Sequence, residues 1–332
     1  MAANFGEPRH ARPQHRIQAP PMDIITLIMT AGKSAVEPAL FVLLPVMVIM
    51  LCVMRLLEAF GVLDRLVTLL APVLKPFGLT GLSVFALLQV NFVSFAAPVA
   101  TLATMDRRGV SDRHLAATLA MVFAMAQANV TYPLAGLGLS FGTFMLISII
   151  GGLIAAAFTY YLTGRRLSAT EQPQDETLHH PVAHDPKGVL AIISSAGNEA
   201  FRISTGTIPL VALSLLFVLV IKDVGIIHWL EVVLTPILGW AGINPALILP
   251  TLTKYLAGGS ALLGVLVDMH NHGQADAHLI NTSAGWLVHT LDLPGIAIMM
   301  SAGPRVAKIW KPAAVGGLVG ILARTLGQAF WG

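Results

Sequence analysis

One cysteine in 332 residues, Cys52, excludes an intramolecular disulfide and any cysteine-based zinc site or cluster. Charge is almost as scarce. Asp, Glu, Lys and Arg make up 11% of the chain, whereas a soluble globular domain carries roughly 25%. That leaves too little polar surface to clothe a water-soluble body. No charged side chain occurs from Pro38 to Met54, from Pro76 to Met105, or from His114 to Gly164. The second half has the same gaps at Ile203–Ile221, Val232–Thr253 and Pro312–Ala323. A helix needs about 20 apolar residues to cross the hydrocarbon core, so the chain reads as a multi-pass protein whose solvent is the lipid bilayer. No GxSxG, Walker A, HExxH or dinucleotide fingerprint is present, so neither an enzyme nor a cofactor is expected. The mild net charge of +3 suits basic loops beside a membrane better than a nucleic-acid surface. The tail carrying Arg9, Arg12 and Arg16 is polar and Pro-rich and does not read as a signal peptide.

What is present is a repeat. Offsetting the chain by 164 residues places Gly61-Val-Leu-Asp-Arg-Leu-Val-Thr-Leu-Leu-Ala-Pro72 on Gly225-Ile-Ile-His-Trp-Leu-Glu-Val-Val-Leu-Thr-Pro236. The same offset sets Met105, Gly109, Asp112, His114, Leu115 and Thr118 on Met269, Gly273, Asp276, His278, Leu279 and Thr282. Over positions 61–120 there are 16 identities, and they include Pro, Gly, Asp and His, which apolar composition does not align in register. The chain divides into a polar tail and short lead-in (1–34), a first membrane unit (35–163), a polar linker (164–194) and a second unit (195–332). Within the linker His179, His180 and His184 fit a solvated loop better than a metal site.

Each unit repeats one order of segments: a first span (38–57 and 205–222), an amphipathic stretch, a second segment (79–105 and 243–268), a third (114–136 and 278–300) and a last span (141–163 and 312–331). In the amphipathic stretch Leu63, Leu66, Leu69, Leu70 and Leu74 recur at helical spacing. The expected fold is an all-α polytopic transmembrane bundle of two tandem parallel repeats, about 8 spans in all, with broken or re-entrant helices. Four crossings per unit put Asp106-Arg107-Arg108 and Arg165-Arg166 on one cytoplasmic side with the N-terminal arginines. The same scheme leaves Arg305, Lys308 and Lys311 outside, where they fit poorly.

Polar breaks inside apolar segments mark the candidate site, because transporters expose backbone dipoles to a solute where helices are interrupted. Gln89-Val-Asn91-Phe-Val-Ser94-Phe-Ala-Ala-Pro98 answers Thr253-Lys254-Tyr-Leu-Ala-Gly258-Gly259-Ser260. Gln127-Ala-Asn129-Val-Thr131-Tyr-Pro133 answers His289-Thr290-Leu-Asp292-Leu-Pro294, shifted by about three residues. Asn91, Gln127 and Asn129 offer amides, Ser94, Thr131 and Ser260 hydroxyls, and Lys254, His289 and Asp292 ionisable groups, while Gly258 and Gly259 open the backbone. Substrate binding is one reading of this cluster; helix packing through Asn, Ser and paired Gly, with Lys254 and Asp292 simply paired, is the other. The loop Asp268-Met-His270-Asn-His272-Gly-Gln-Ala-Asp276-Ala-His278 has metal-like spacing. The first unit has Asp106 and Arg108 where His270 and His272 stand, and Asp112 and Asp276 are better explained as helix N-caps.

On these residues the chain resembles the Gate, or nucleoside-recognition, membrane family, which includes the spore maturation membrane proteins. Related domains occur in concentrative nucleoside transporters and in the membrane part of bacterial ferrous iron transporters. The resemblance rests on the Gly61–Pro72 and Gly225–Pro236 blocks, the Asn91–Pro98 break, and the segment carrying Asn129-Val-Thr131. It departs where the second unit has Lys254 and Gly258-Gly259 in place of the Asn…Pro break, and no GTPase domain or Cys in the break accompanies it. The resemblance implies a bacterial inner-membrane protein moving a small polar solute, a nucleoside among the candidates, with a homo-oligomer admissible. The alternatives are a spore-maturation-type scaffold or regulator and a divalent metal permease using the Asp268–His278 loop.

Overall fold

The computed structural model describes residues 23–170, 188–240 and 242–331; Arg9, Arg12, Arg16, His179, His180 and His184 lie outside them. The described residues are 82% helix and include no strand. The first half holds α1 (Ile24–Glu37), α2 (Leu44–Ala59), α3 (Val62–Leu74), α4 (Gly81–Phe92), α5 (Pro98–Arg107), α6 (Asp112–Ala124), α7 (Ala128–Ala135) and α8 (Phe141–Phe158). The second half holds α9 (Val189–Asp223), α10 (Ile226–Trp240), α11 (Ile248–Ala257), α12 (Gly259–Asn271), α13 (Ala277–Leu287), α14 (Leu293–Met300) and α15 (Pro304–Trp331). A π-helical turn at Pro38–Leu43 joins α1 to α2, and a second, Thr159–Thr163, extends α8.

Five of the described helices are long and apolar enough to cross a membrane. Their outer faces carry large apolar side chains to the surroundings, such as Phe41 and Ile49 on α2 and its lead-in, Leu213 and Phe217 on α9, and Leu322 and Leu326 on α15. In water such faces would cost roughly 25 cal/mol per Å²; in lipid they cost nothing. The segment Asp112–Ala135 is the central one, with 94% of its apolar window inside the protein against 19% for Ile24–Ala59.

Glycines matched by the 164-residue offset share a backbone conformation. Gly61 and Gly225 have φ of 66° and 85°, Gly78 and Gly242 75° and 69°, Gly109 and Gly273 70° and 68°. A side chain is strained at positive φ, so these identities record turns that recur in both halves. The helix ends recur too: α6 stops at Ala124 and α13 at Leu287, α7 starts at Ala128 and α14 at Leu293. The breaks therefore correspond to within one residue, closer than the three-residue shift read from Pro133 and Pro294.

The two halves are antiparallel, which corrects the parallel arrangement expected above. Along α8 and α15, Ile147 lies by Gly327, Gly151 by Gly320 and Arg324, and Thr159 by Gly316, while Thr163 Oγ1 donates to Pro312 O at 2.9 Å. Residue numbers rise on one helix as they fall on the other. The first spans pair the same way: Ser34 and Leu215 both border Gly264, while Cys52 reaches Ile193 and Arg55 reaches Glu199.

The reason is the second segment, which is not a crossing. Ser83 meets Thr118 midway along α6, Asn91 meets Met125 at its end, and Asp106 returns to Arg305 beside Asp112 at its start. Thr101 Oγ1 donates to Gln89 Oε1 at 2.7 Å, closing α4 and α5 into a hairpin that enters and leaves from one end. Among the described residues of the first half, α1–α2, α6–α7 and α8 traverse the bundle, an odd number, and an odd number inverts the unit that follows.

This arrangement also corrects the placement of Arg305, Lys308 and Lys311. Arg305 donates to Asp112 Oδ1 at 2.6 Å, to Val110 O at 2.5 Å and to Asp106 O at 3.1 Å, so it stands beside the Asp106–Arg108 loop. The Arg113 backbone N–H donates to Ser168 O at 3.2 Å, which brings Arg165 and Arg166 to the same end. The opposite end, where Asn281 holds Ser140 and Gly138, carries Asp268 and Asp276. Asp112 is not an N-cap: Ser111 caps α6 and frees the carboxylate for Arg305. Asp276 caps α13 as expected, accepting from Leu279 N at 2.8 Å.

Candidate functional site

Two broken helices meet at the centre. α6 ends in apolar residues and resumes as α7 after Met125 turns to extended backbone, and α13 and α14 are separated by Val288–Asp292. A break inside a bundle leaves N–H and C=O groups that lipid cannot satisfy. Here each break satisfies the other. Thr290 N donates to Phe123 O at 3.1 Å, and Gln127 Nε2 donates to His289 O at 2.5 Å. Asp292 caps α14 by accepting from Gly295 N at 2.7 Å.

The tips of two hairpins close on this junction. The α11–α12 hairpin turns at Gly258, whose φ of 86° and ψ of 179° belong to a region that is essentially glycine-only. Gly259 follows so closely that a Cβ there would collide with Gln127 Oε1. Asn129 bridges the hairpins, accepting from Phe95 N at 3.4 Å and approaching Ser260 Oγ at 3.5 Å. The Lys254 ammonium is fully buried, ion-paired with Asp292 and donating to His289 O at 2.6 Å. His289 accepts at Nδ1 from Leu291 N, and its Nε2 lies 3.3 Å from the Tyr255 hydroxyl.

All the residues named from the sequence are thus near the two breaks, and Asn91, Ser94, Gln127, Asn129, Thr131, Lys254, His289 and Asp292 are buried. Their roles differ. Thr131 donates to Gln127 O within its own helix, a local contact. Asn91 Nδ2 donates to Leu87 O at 2.8 Å, while Asn91 Oδ1, Gln127 Oε1 and Thr290 Oγ1 have no partner. The arrangement is a closed polar core with unused acceptors, not an open chamber. A cavity of about 560 Å³ lies beside it, on the far side of the α4–α5 hairpin. Gln89, Val93 and Ala97 form its inner wall, Thr101 its side, and Arg108 its outer rim at the basic end. Across it Arg55 joins Glu199 of α9 at 2.9 Å and Glu58 at 3.1 Å.

The candidates chosen from the sequence omit Arg324 and Gln328, which are buried in α15, and the Gln89–Thr101 pair that closes the first hairpin. Arg324 lies inside the last apolar segment, and an ionisable residue in a span was the available signal. In the Asp268–His278 loop, His270 Nδ1 lies 3.0 Å from Ala275 O and His272 Nδ1 lies 2.8 Å from Asp268 O. Among the described residues no three His, Cys, Asp or Glu side chains are grouped to hold a metal ion.

Residues 40–144 match the Gate family, described as nucleoside recognition. The Gate match covers α2 to the start of α8, including the first hairpin and the first broken helix. Solved structures extend the likeness to nearly the whole chain. CNTnw in an inward-facing substrate-bound state is 16% identical with a TM-score of 0.63, covering 92% of this chain and 82% of that one. A doubly substituted CNTnw in an outward-facing state gives 16%, 0.66, 92% and 83%. A singly substituted CNTnw in an intermediate state gives 14%, 0.62, 93% and 86%. At these identities the shared property is the fold. No curated protein matches the sequence.

Proposed function

We propose that the protein is a multi-pass transporter of the bacterial inner membrane that moves a small polar solute, a nucleoside being the first class to test, across the junction of its two halves. The observation that carries this reading is the convergence of four chain interruptions, at residues 93–97, 125–127, 258 and 288–292, on one buried polar core. Two inverted hairpins whose tips meet two broken helices suit alternating access. The family description, nucleoside recognition, and the fold shared with a concentrative nucleoside transporter support the solute class.

The two halves act as inverted units of 35–163 and 195–332. Asn91, Ser94, Gln127, Asn129, Thr131, Ser260 and Asp292 contact the solute, Gly258 and Gly259 let the second hairpin approach it, and Lys254 and His289 hold Asp292 and the break in place. The basic end faces the cytoplasm, following the positive-inside rule, and the 560 Å³ cavity is the cytoplasmic approach. With the core closed, the solute enters when one hairpin tip withdraws.

Purified protein in proteoliposomes should accumulate or exchange radiolabelled uridine or adenosine, and Asn129→Ala should abolish uptake while retaining insertion and helical content. Equal uptake by empty liposomes, or full activity in Asn129→Ala, would sink the proposal.

A further inference from the structure

Among the described residues, the fully or nearly fully buried formal charges are Lys254, Asp292 and Arg324. Lys254 and Asp292 neutralise each other. Arg324 is left as a buried cation with no carboxylate, within electrostatic reach of Lys254 and His289. A guanidinium in a low-dielectric interior carries a large desolvation penalty unless it is paired.

Its existing contacts are specific and incomplete. Nη1 donates to Ala124 O at 2.5 Å, at the C-terminus of broken helix α6, and the Phe144 ring centroid lies 5.2 Å from Cζ. Nε and Nη2 have no partner. Those two nitrogens form one side of the planar fork, the edge that takes a carboxylate through two parallel hydrogen bonds. One helical turn further along α15, Gln328 is buried with both amide atoms also unpartnered. Capping α6 needs one N–H and leaves the fork unexplained.

We infer that the Nε/Nη2 edge of Arg324, with Gln328, is a binding site for a carboxylate. The site belongs neither to the Lys254–Asp292 pair nor to the 560 Å³ cavity, and only the assignment of its carboxylate to the solute rests on the transport proposal. The carboxylate comes either from a free small anion or from the solute itself.

The test is thermal unfolding of the full chain in detergent at constant ionic strength, titrating sodium acetate against sodium chloride. Wild-type protein should show a saturable rise in Tm with acetate. The rise should vanish in Arg324→Gln and move to at least tenfold higher acetate in Arg324→Lys, which still reaches Ala124 O but lacks the fork. Gln328→Leu, a substitution without charge change, should weaken the response if Arg324→Gln does not fold. Orotidine, a nucleoside bearing a ring carboxylate, separates the two sources. Protection by orotidine at lower concentration than acetate, with the two competing, assigns the carboxylate to the solute. Acetate protection that adds to that of uridine assigns a free ion. No response to acetate or orotidine, equal protection by chloride, or an unchanged response in Arg324→Lys and Gln328→Leu would overturn the inference.

Discussion

Removing the Lys254 ammonium should be among the most damaging single changes in the protein, and removing its carboxylate partner as well should repair much of the damage. In the native state Lys254 satisfies two groups at once, Asp292 and the His289 carbonyl, and all are buried. Lys254→Met leaves an unpaired carboxylate at the core and takes one of two donors from the His289 carbonyl, which keeps Gln127 Nε2. Stripping one member from a buried pair costs about 3–5 kcal/mol, and the loss should appear as a shift in the midpoint of unfolding in mixed dodecylsulfate–maltoside micelles, followed by tryptophan fluorescence. In Lys254→Met/Asp292→Asn the charge is gone, while the asparagine oxygen still accepts from Gly295 N, the cap that Asp292 Oδ1 provides at 2.7 Å. What is left to lose is hydrogen bonding to His289 O, about 1–2 kcal/mol. The double variant should therefore be more stable than Lys254→Met by roughly 2 kcal/mol, a strongly non-additive cycle. Additive losses, or a Lys254→Met variant within about 1 kcal/mol of wild type, would refute the claim that this pair is a desolvated ion pair holding the break.

In a Cys52→Ser background, single cysteines at Arg166 and Lys311 should react with a membrane-impermeant maleimide from the cytoplasmic face, and one at Asn271 from the opposite face; labelling of Lys311→Cys and Arg166→Cys from opposite faces would restore the parallel arrangement. Gly259→Ala should force Gln127 off His289 O, because the new Cβ collides with Gln127 Oε1 and meets Val130 Cγ2 at 2.9 Å. A loss of about 1–3 kcal/mol is expected, with solute uptake falling more than stability; a variant unchanged in both would show the tip has room to spare.

The membrane character, the helical class and the polar breaks were legible because each has a local cause. A charge-free run of about 20 residues has one physical reading, and Asn91, Gln127, Lys254 and Asp292 stand out because lipid tolerates them only with partners. The breaks could be located to within a few residues by Pro and Gly. The packing that makes them a closed core could not, since Gln127–His289 and Phe123–Thr290 join residues far apart in sequence, and three of the four groups involved are backbone groups that every residue has. Arg324 was legible as an ionisable residue inside the last apolar segment, but its direction was not: a long basic side chain can snorkel to the interface, and only the packing of α15 against α6, α8 and α13 turns it inward.

Orientation is the hardest property to read from the sequence, because it depends on parity rather than on any single residue. The stretch from Pro76 to Met105 is long and uncharged, and length alone cannot tell a crossing from a hairpin that doubles back at Val93–Ala97. Counting it as a crossing makes each unit even and the repeat parallel; recognising the Gln89–Thr101 contact makes each unit odd and inverts the second. The sequence did hold a clue in the misfit of Arg305, Lys308 and Lys311. Basic residues stranded on the wrong side of a topology are evidence about the number of crossings before they are exceptions to the positive-inside rule. Inversion resolves the misfit, setting Arg305 against Asp112 at 2.6 Å. It also explains why the two halves can share a polar core without sharing its chemistry. Equivalent breaks approach from opposite faces, so Asn91 and Lys254 serve opposite sides of one junction and are free to differ.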